Sequence, residues 1–274
     1  MRNPEGLYKR RAVLAGSFYP ASGQEIKEIF EAWAPERKPM HGLCGLILPH
    51  AGYIYSGRVA ALGYSLIPKE TSRLILLGPS HHYPLRGIAV WNEGVWETPL
   101  GDVGIDYEVA DALIRLGVFH PDIRPHLPEH SLEVHAPFIK HFLPEAQIVP
   151  LLVGTMDSHE LEEAAEVLRR LLDGRTLIIA SSDLYHGHSY EECIEQDKET
   201  LSRIKALNGK GFLLSARERR VMACGDAAIA LLLEVASGLP KPEAEILLYT
   251  NSSEVTGASS GYVVGYAAVA IRSG

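Results

Sequence analysis

The chain has 274 residues, 46% of them hydrophobic and 22% charged, a composition that excludes a disordered protein. Its 26 Lys and Arg against 34 Asp and Glu leave a net charge of −8, which disfavours broad binding to nucleic acid or an anionic membrane. No apolar run approaches the ~18–20 residues that span a bilayer, and the start MRNPEGLYKRR lacks the apolar core of a secretion signal.

Taken in order, short apolar runs alternate with segments of helical period. Leu43–Leu48 reads as a buried strand, 58–66 as a short helix with small residues on its packing face, and 73–77 as a second buried strand. Residues 107–117 read as a helix stopped by Gly117. Gln147–Val153 is a strand; a helix then starts with Ser158 as its candidate N-cap and ends near Gly174. Residues 176–180 form a strand, 226–236 a very apolar buried helix, and 245–250 and 262–271 two closing strands that sit close enough to pair antiparallel. The loose stretches, 1–10, 34–41 and 120–130, are too short for interdomain linkers, so 1–274 reads as a single α/β domain. Strand–helix–strand repetition predicts a three-layer α/β/α sandwich around a mixed, mainly parallel sheet.

Three cysteines are too few for a disulfide framework and point to a reducing compartment, with a soluble cytoplasmic protein as the expectation. The polar clusters follow strands, and open α/β sheets bind ligands outside the carboxyl ends of their strands. Pro49-His50-Ala51-Gly52-Tyr53 follows the first buried strand, Gly78-Pro79-Ser80-His81-His82-Tyr83 the second, and Ser181-Ser182-Asp183-Leu184-Tyr185-His186 the run at 176–180. If these strands are neighbours, the loops share one crevice. Two histidines with a third donor and open positions describe a site for non-haem iron or copper, with His50 and His81 as the first candidates. Asp183 and His186, three residues apart, supply a carboxylate and an acid–base group. Each residue also has an ordinary reading. A histidine after a strand serves as a hydrogen-bonded loop residue, Asp183 caps the next turn, and His82 faces solvent.

Cys224 opens the apolar helix, where the dipole would lower its pKa and favour a thiolate ligand; the alternative is a small buried residue beside Gly225. Cys44 and Cys193 read as structural. In 129–135, Ser131 is read as a helix N-cap, with Glu129 and His130 also able to face the crevice. Tyr53, Ser80, His82, Glu129 and His130 complete the set as candidate substrate contacts. There is no nucleophile elbow, no Walker A loop and no G-x-G-x-x-G after a strand, and the Gly-rich 251–261 lacks Lys.

These residues also resemble the Memo family. The matching pieces are AGSFYP at 15–20, the PHAGY loop at 49–53 with Tyr55-Ser56-Gly57, LGPSHH at 77–82, TPLG at 98–101, EHS at 129–131, SSD at 181–183, Cys224-Gly225 and GYVVGY at 261–266. They run in order over essentially the whole chain. The resemblance implies a fold similar to class III extradiol dioxygenases, which hold Fe(II) with two His and one Glu. It implies His50, His81 and Cys224 as metal ligands, the thiol standing where those enzymes have a carboxylate, with Asp183 and His186 lining the same pocket. It further implies iron or copper and, for prokaryotic members, a radical-SAM protein partner. A thiolate ligand shifts preference toward softer or redox-active ions, so ring cleavage does not follow from the fold.

Three functions compete on these grounds. The first is a metal-dependent redox protein whose open positions receive dioxygen, peroxide or a small substrate, with His186 moving protons. The second is a non-enzymatic binding or adaptor protein holding a peptide, metabolite or partner protein in the same pocket. The third is zinc-assisted hydrolysis with Asp183 or Glu129 as base.

Overall fold

The structure, a computed structural model, describes residues 8–33, 38–258 and 261–274. The loose stretches expected at the N-terminus and at 34–41 therefore lie partly outside the described residues.

The chain runs β1 (Lys9–Arg10), α1 (Gly23–Trp33), β2 (Leu43–Leu48), α2 (Arg58–Ser65), β3 (Arg73–Gly78), β4 (Ile88–Val90), β5 (Val95–Trp96), β6 (Val103–Gly104) and α3 (Tyr107–Ile114). It continues through β7 (Phe119–Pro121), α4 (Ala136–Phe142), β8 (Gln147–Val153), α5 (Ser158–Arg169), β9 (Thr176–Ser181), β10 (His186–Gly187), α6 (Tyr190–Lys205) and α7 (Gly209–Arg217). The last elements are α8 (Asp226–Ser237), β11 (Glu243–Asn251), α9 (Ser252–Thr256) and β12 (Val263–Arg272).

Among the described residues the main sheet has nine strands, in the order β10-β12-β2-β9-β3-β8-β4-β7 with β11 on β12. Its centre, β2-β9-β3-β8, is parallel. β12 is antiparallel to β2 and to β11, and β4 is antiparallel to β8. The sheet is thus mixed with a parallel centre, as the strand–helix repetition predicts.

Period-2 alternation distributes the strands' side chains between two cores. Ile47, Ile75, Leu77, Val149, Leu151, Ile178 and Ala180 pack with Leu161 and Leu168 of α5, Phe212 of α7 and the apolar length of α8. Their neighbours Leu46, Leu48, Leu74, Leu76, Ile148, Leu177 and Ile179 pack on the other face with Phe30 of α1, Tyr64 of α2 and Phe138 of α4. Both faces of the parallel strands are covered, which is why their sequences are near-continuous apolar runs.

Several boundaries differ from the periodicity. α5 is capped by Asp157, not Ser158: Asp157 accepts the N–H groups of His159 and Glu160, and Glu160 returns a bond to the Asp157 N–H. It ends at Arg169, well short of Gly174. α3 ends at Ile114 rather than Gly117, and Asp106 caps its start. A π-helical turn at Tyr53–Gly57 precedes α2, its crowding set by Gly57, where an added Cβ would lie 2.5 Å from the Trp33 ring. α1 and α7 have no counterpart among the sequence-predicted helices.

Candidate metal centre

His50 leaves the carboxyl end of β2 and is buried. β9 lies beside β2, and its outgoing chain passes over the β2 end: the Ser182 N–H donates to Leu48 O at 2.9 Å, then Leu184 and Tyr185 exchange bonds with Gly265 of β12. This path carries Asp183 directly over the His50 loop. Asp183 Oδ1 accepts the backbone N–H groups of His50 (2.8 Å) and Ala51 (3.3 Å). Asp183 therefore clasps this loop instead of capping the next turn. Burial pushes its carboxyl up to about 6, against the lowering effect of those hydrogen bonds.

Cys224 reaches the same place from α8. Its N–H donates to Asp183 O, and Asp183 N–H points at its Sγ at 3.2 Å. Gly225 makes that approach feasible, because a Cβ there would sit 2.4 Å from Ser181 O. Cys224 Sγ is 3.2 Å from His50 Nε2. The sequence expectation of an acidic thiol is corrected. Burial, reinforced by the Asp183 carboxylate, pushes the Cys224 thiol well up from its ordinary value, and these effects outweigh the helix dipole.

His81 follows β3. Its backbone N–H donates to Glu129 Oε2 at 2.6 Å and its Nδ1 meets Glu129 Oε1 at 2.8 Å. Glu129 is buried and also accepts the N–H groups of His130 and Ser131. Burial alone would raise its pKa, but the His81 and Ser131 hydrogen bonds outweigh that and hold it at about 2. An ionised Glu129 only accepts, so His81 donates from Nδ1 in this bond and Nε2 is the nitrogen not tied to Glu129. Ser131 is not a helix cap: its hydroxyl donates to Pro79 O, tying this loop to the β3 loop. Gly78 permits the contact, since a Cβ there would meet Leu132 at 2.6 Å.

His130 stacks on His81 with ring centroids 4.4 Å apart and stands edge-on to His50 at 5.3 Å. One nitrogen from each of His50, His81 and His130 lies within 4.8 Å of the other two. Burial lowers His50 well below its ordinary pKa and brings His130 to about 4, so both rings are neutral near pH 7.

Behind His50 lies a chain of buried polar groups. Ser181 Oγ is 2.5 Å from Ser131 O, 2.7 Å from His50 Nδ1 and 2.9 Å from His135 Nε2; His135 Nδ1 is 3.1 Å from Tyr64 OH. A carbonyl only accepts, so the single Ser181 proton goes to Ser131 O. Both imidazoles must then donate to Ser181, and Tyr64 must donate to His135. The arrangement fixes the proton of His50 on Nδ1 and presents its Nε2 lone pair to Cys224 Sγ.

Other candidates sit at the rim or elsewhere. His186 is half-buried, donates Nδ1–H to Leu184 O at 2.9 Å and keeps Nε2 available. His82 is exposed and groups with Glu129 and His130. Ser80 donates its hydroxyl to Tyr83 O. Tyr53 is spent on structure: its hydroxyl donates to Val134 O and its ring packs with Tyr19, Phe30 and Phe138. Cys44 and Cys193 bond to Ile271 O and Asp197 respectively and take no part in the cluster.

A family model described as Memo-like protein matches residues 10–270. The chain belongs to the Memo family. Curated Memo-family relatives span it almost end to end. One from Methanopyrus kandleri is 34% identical over 97% of this chain and 100% of its own, and one from Methanosarcina acetivorans is 34% identical over 96% and 99%. A solved structure of an uncharacterised Escherichia coli K12 protein covers 81% of this chain and 99% of its own at 14% identity and a TM-score of 0.49. In this Memo-family chain the sequence reading misses Ser181, His135 and Tyr64 as supports of His50. The one signal available was a polar residue closing the apolar run TLIIAS.

Proposed function

We propose that this chain is a metal-binding redox protein that holds one iron(II) or copper ion between His50, His81 and Cys224. The observation that carries the reading is the preparation of the two imidazoles. Each donates its Nδ1–H to an acceptor behind it, Ser181 or Glu129, and one nitrogen of each lies within 4.8 Å of the other. Neutral imidazole with an oriented second nitrogen is the form that binds a metal. The Cys224 thiol, 3.2 Å from His50 Nε2, is assigned as the third donor, although the residue that completes the group within 4.8 Å of both imidazoles is His130. Its proton would leave on binding, since the thiolate is the ligand form.

A bound ion would supply one-electron chemistry and Lewis acidity at open positions. The protein's own part is positioning and proton transfer. Asp183 keeps the His50 loop in register. His186, with Nε2 uncommitted, accepts or delivers a proton at the rim. Three free thiols suit a reducing compartment, and we place the protein in the cytoplasm on that ground.

The test is elemental analysis of protein purified anaerobically without a His-tag, alongside His50→Ala, His81→Ala, Cys224→Ser and His130→Ala. The expected result is about one equivalent of iron or copper, lost in the first three folded variants and kept in His130→Ala. Retention in Cys224→Ser with loss in His130→Ala would move the third ligand to His130. Absence of metal after anaerobic reconstitution would overturn the reading.

A further inference from the structure

Cys224 and Ser80 also line a cavity of about 330 Å³ that His50, His81 and His130 do not line. The cavity lies beyond the carboxyl ends of β3 and β8, against α7 and the start of α8, where open α/β sheets receive ligands. Its size suits a small molecule. Cys224 is thus a common wall between this cavity and the metal centre.

The hydrogen-bonding capacity of the walls has a definite sign. Ser80 gives its hydroxyl proton to Tyr83 O at 2.8 Å, and Thr155 gives its own to Leu85 O at 3.2 Å. Both hydroxyls therefore offer lone pairs to an occupant, not protons. Asp226 is the one carboxylate among the described wall residues; its Oδ1 takes the N–H of Ala227 at 2.6 Å. The one cation among the described wall residues, Arg217, donates to the carbonyl of Met156 and also acts by its charge on Asp226, opposing the upward push of burial on that carboxyl. The rest is largely apolar, including Met156 and Leu213. Set against the donors of Arg217 and of the first turn of α8, the two hydroxyl acceptors, the Asp226 carboxylate and the apolar remainder favour a donor-bearing head on a compact apolar body.

We propose that this cavity binds a primary ammonium compound with a small apolar body, its head against Asp226, Ser80 and Thr155. Calling that occupant the substrate rests on the metal-centre reading, because only Cys224 joins the two; the binding itself does not.

The test uses 2-phenylethylamine, titrated calorimetrically into metal-stripped and metal-loaded protein, with 3-phenylpropionate as the anionic counterpart. The amine is expected to bind both forms and the acid to bind far more weakly. Asp226→Asn should weaken the amine about tenfold or more, the usual size of a hydrogen bond to a charged group. Thr155→Trp, at an exposed position of the rim, should block binding while the thermal midpoint and metal content stay at wild-type values. Tighter binding of the acid, or amine binding that survives Thr155→Trp, would overturn the proposal. Amine binding by a protein that takes up no metal would keep this site and remove only its link to redox chemistry.

Discussion

Ser181 Oγ lies 2.7 Å from His50 Nδ1 and can only accept from it, because its own proton is committed to Ser131 O at 2.5 Å. One hydroxyl thereby decides which nitrogen of His50 faces the candidate metal position. Removing it as Ser181→Ala leaves the buried donors of His50 and His135 and the Ser131 carbonyl without that partner. The expected cost is ~1–3 kcal/mol in denaturant unfolding. Metal affinity should fall about 10- to 100-fold in competition titrations, the usual effect of losing an orienting partner.

The Arg10–Glu133 pair sets the loop that carries Glu129. Arg10 Nη1 meets Glu133 Oε2 at 2.6 Å, and both side chains are 1% exposed. The same guanidinium donates to His126 O and Glu129 O and lies 4.5 Å over the Trp96 ring. Arg10→Ala strands a buried carboxylate and should cost ~3–5 kcal/mol in chemical unfolding. Adding Glu133→Gln should recover part of that loss, and a double variant no better than the single one would refute the buried-charge account.

Acid sensitivity should begin above the carboxylate range. His126 is buried, its Nε2 donates to Ala89 O, and its Nδ1 has no partner among the described residues. Burial lowers its pKa to about 3. The unfolded chain takes up this proton near pH ~6.5 and the folded chain does not until about 3, so the stabilisation is complete above 6.5 and is lost as pH falls through that window. Between pH ~6 and ~4 this one group contributes a slope of up to ~1.4 kcal/mol per pH unit. His126→Phe should flatten the stability–pH curve there, and an unchanged slope would contradict the assignment.

Gly225→Ala tests the approach of α8 to β9. The added methyl would lie 2.4 Å from Ser181 O and 2.8 Å from the Ser182 Cβ, and backbone must move to admit it. A loss of ~1–3 kcal/mol is expected, together with weaker metal retention because Cys224 shifts with the helix start. Gly257→Ala, at a position with no described atom within 4 Å and φ of +72°, serves as the control, with backbone strain and metal retention unchanged.

The strands β2, β3, β8 and β9 and the helix α8 were legible because burial on both faces writes itself as an uninterrupted apolar run. The loops bearing His50, His81 and Asp183 were legible because parallel strands end on a common side, so loops following adjacent ones converge. Cys224 stood out by its place before an apolar helix, but its acidity was misread: the helix dipole is a local feature, whereas burial beside Asp183 depends on the fold. Ser131 matched a capping pattern and instead joined two loops, because its hydroxyl found Pro79 O, 52 positions away. Helices α1 and α7 escaped notice, and α5 was overextended, because helical period alone sets neither start nor end.

The sequence by itself determined the layered architecture, the family and which polar residues gather at one end of the sheet, since these follow from local periodicity and from short motifs. Only the tertiary structure decided how those residues are charged and oriented. Proton placement on His50 and His81 depends on Ser181 and Glu129, 131 and 48 positions away, and on burial that no local window contains. Hydrogen-bond direction and desolvation are properties of the assembled site, whereas strand and helix patterns are properties of the chain.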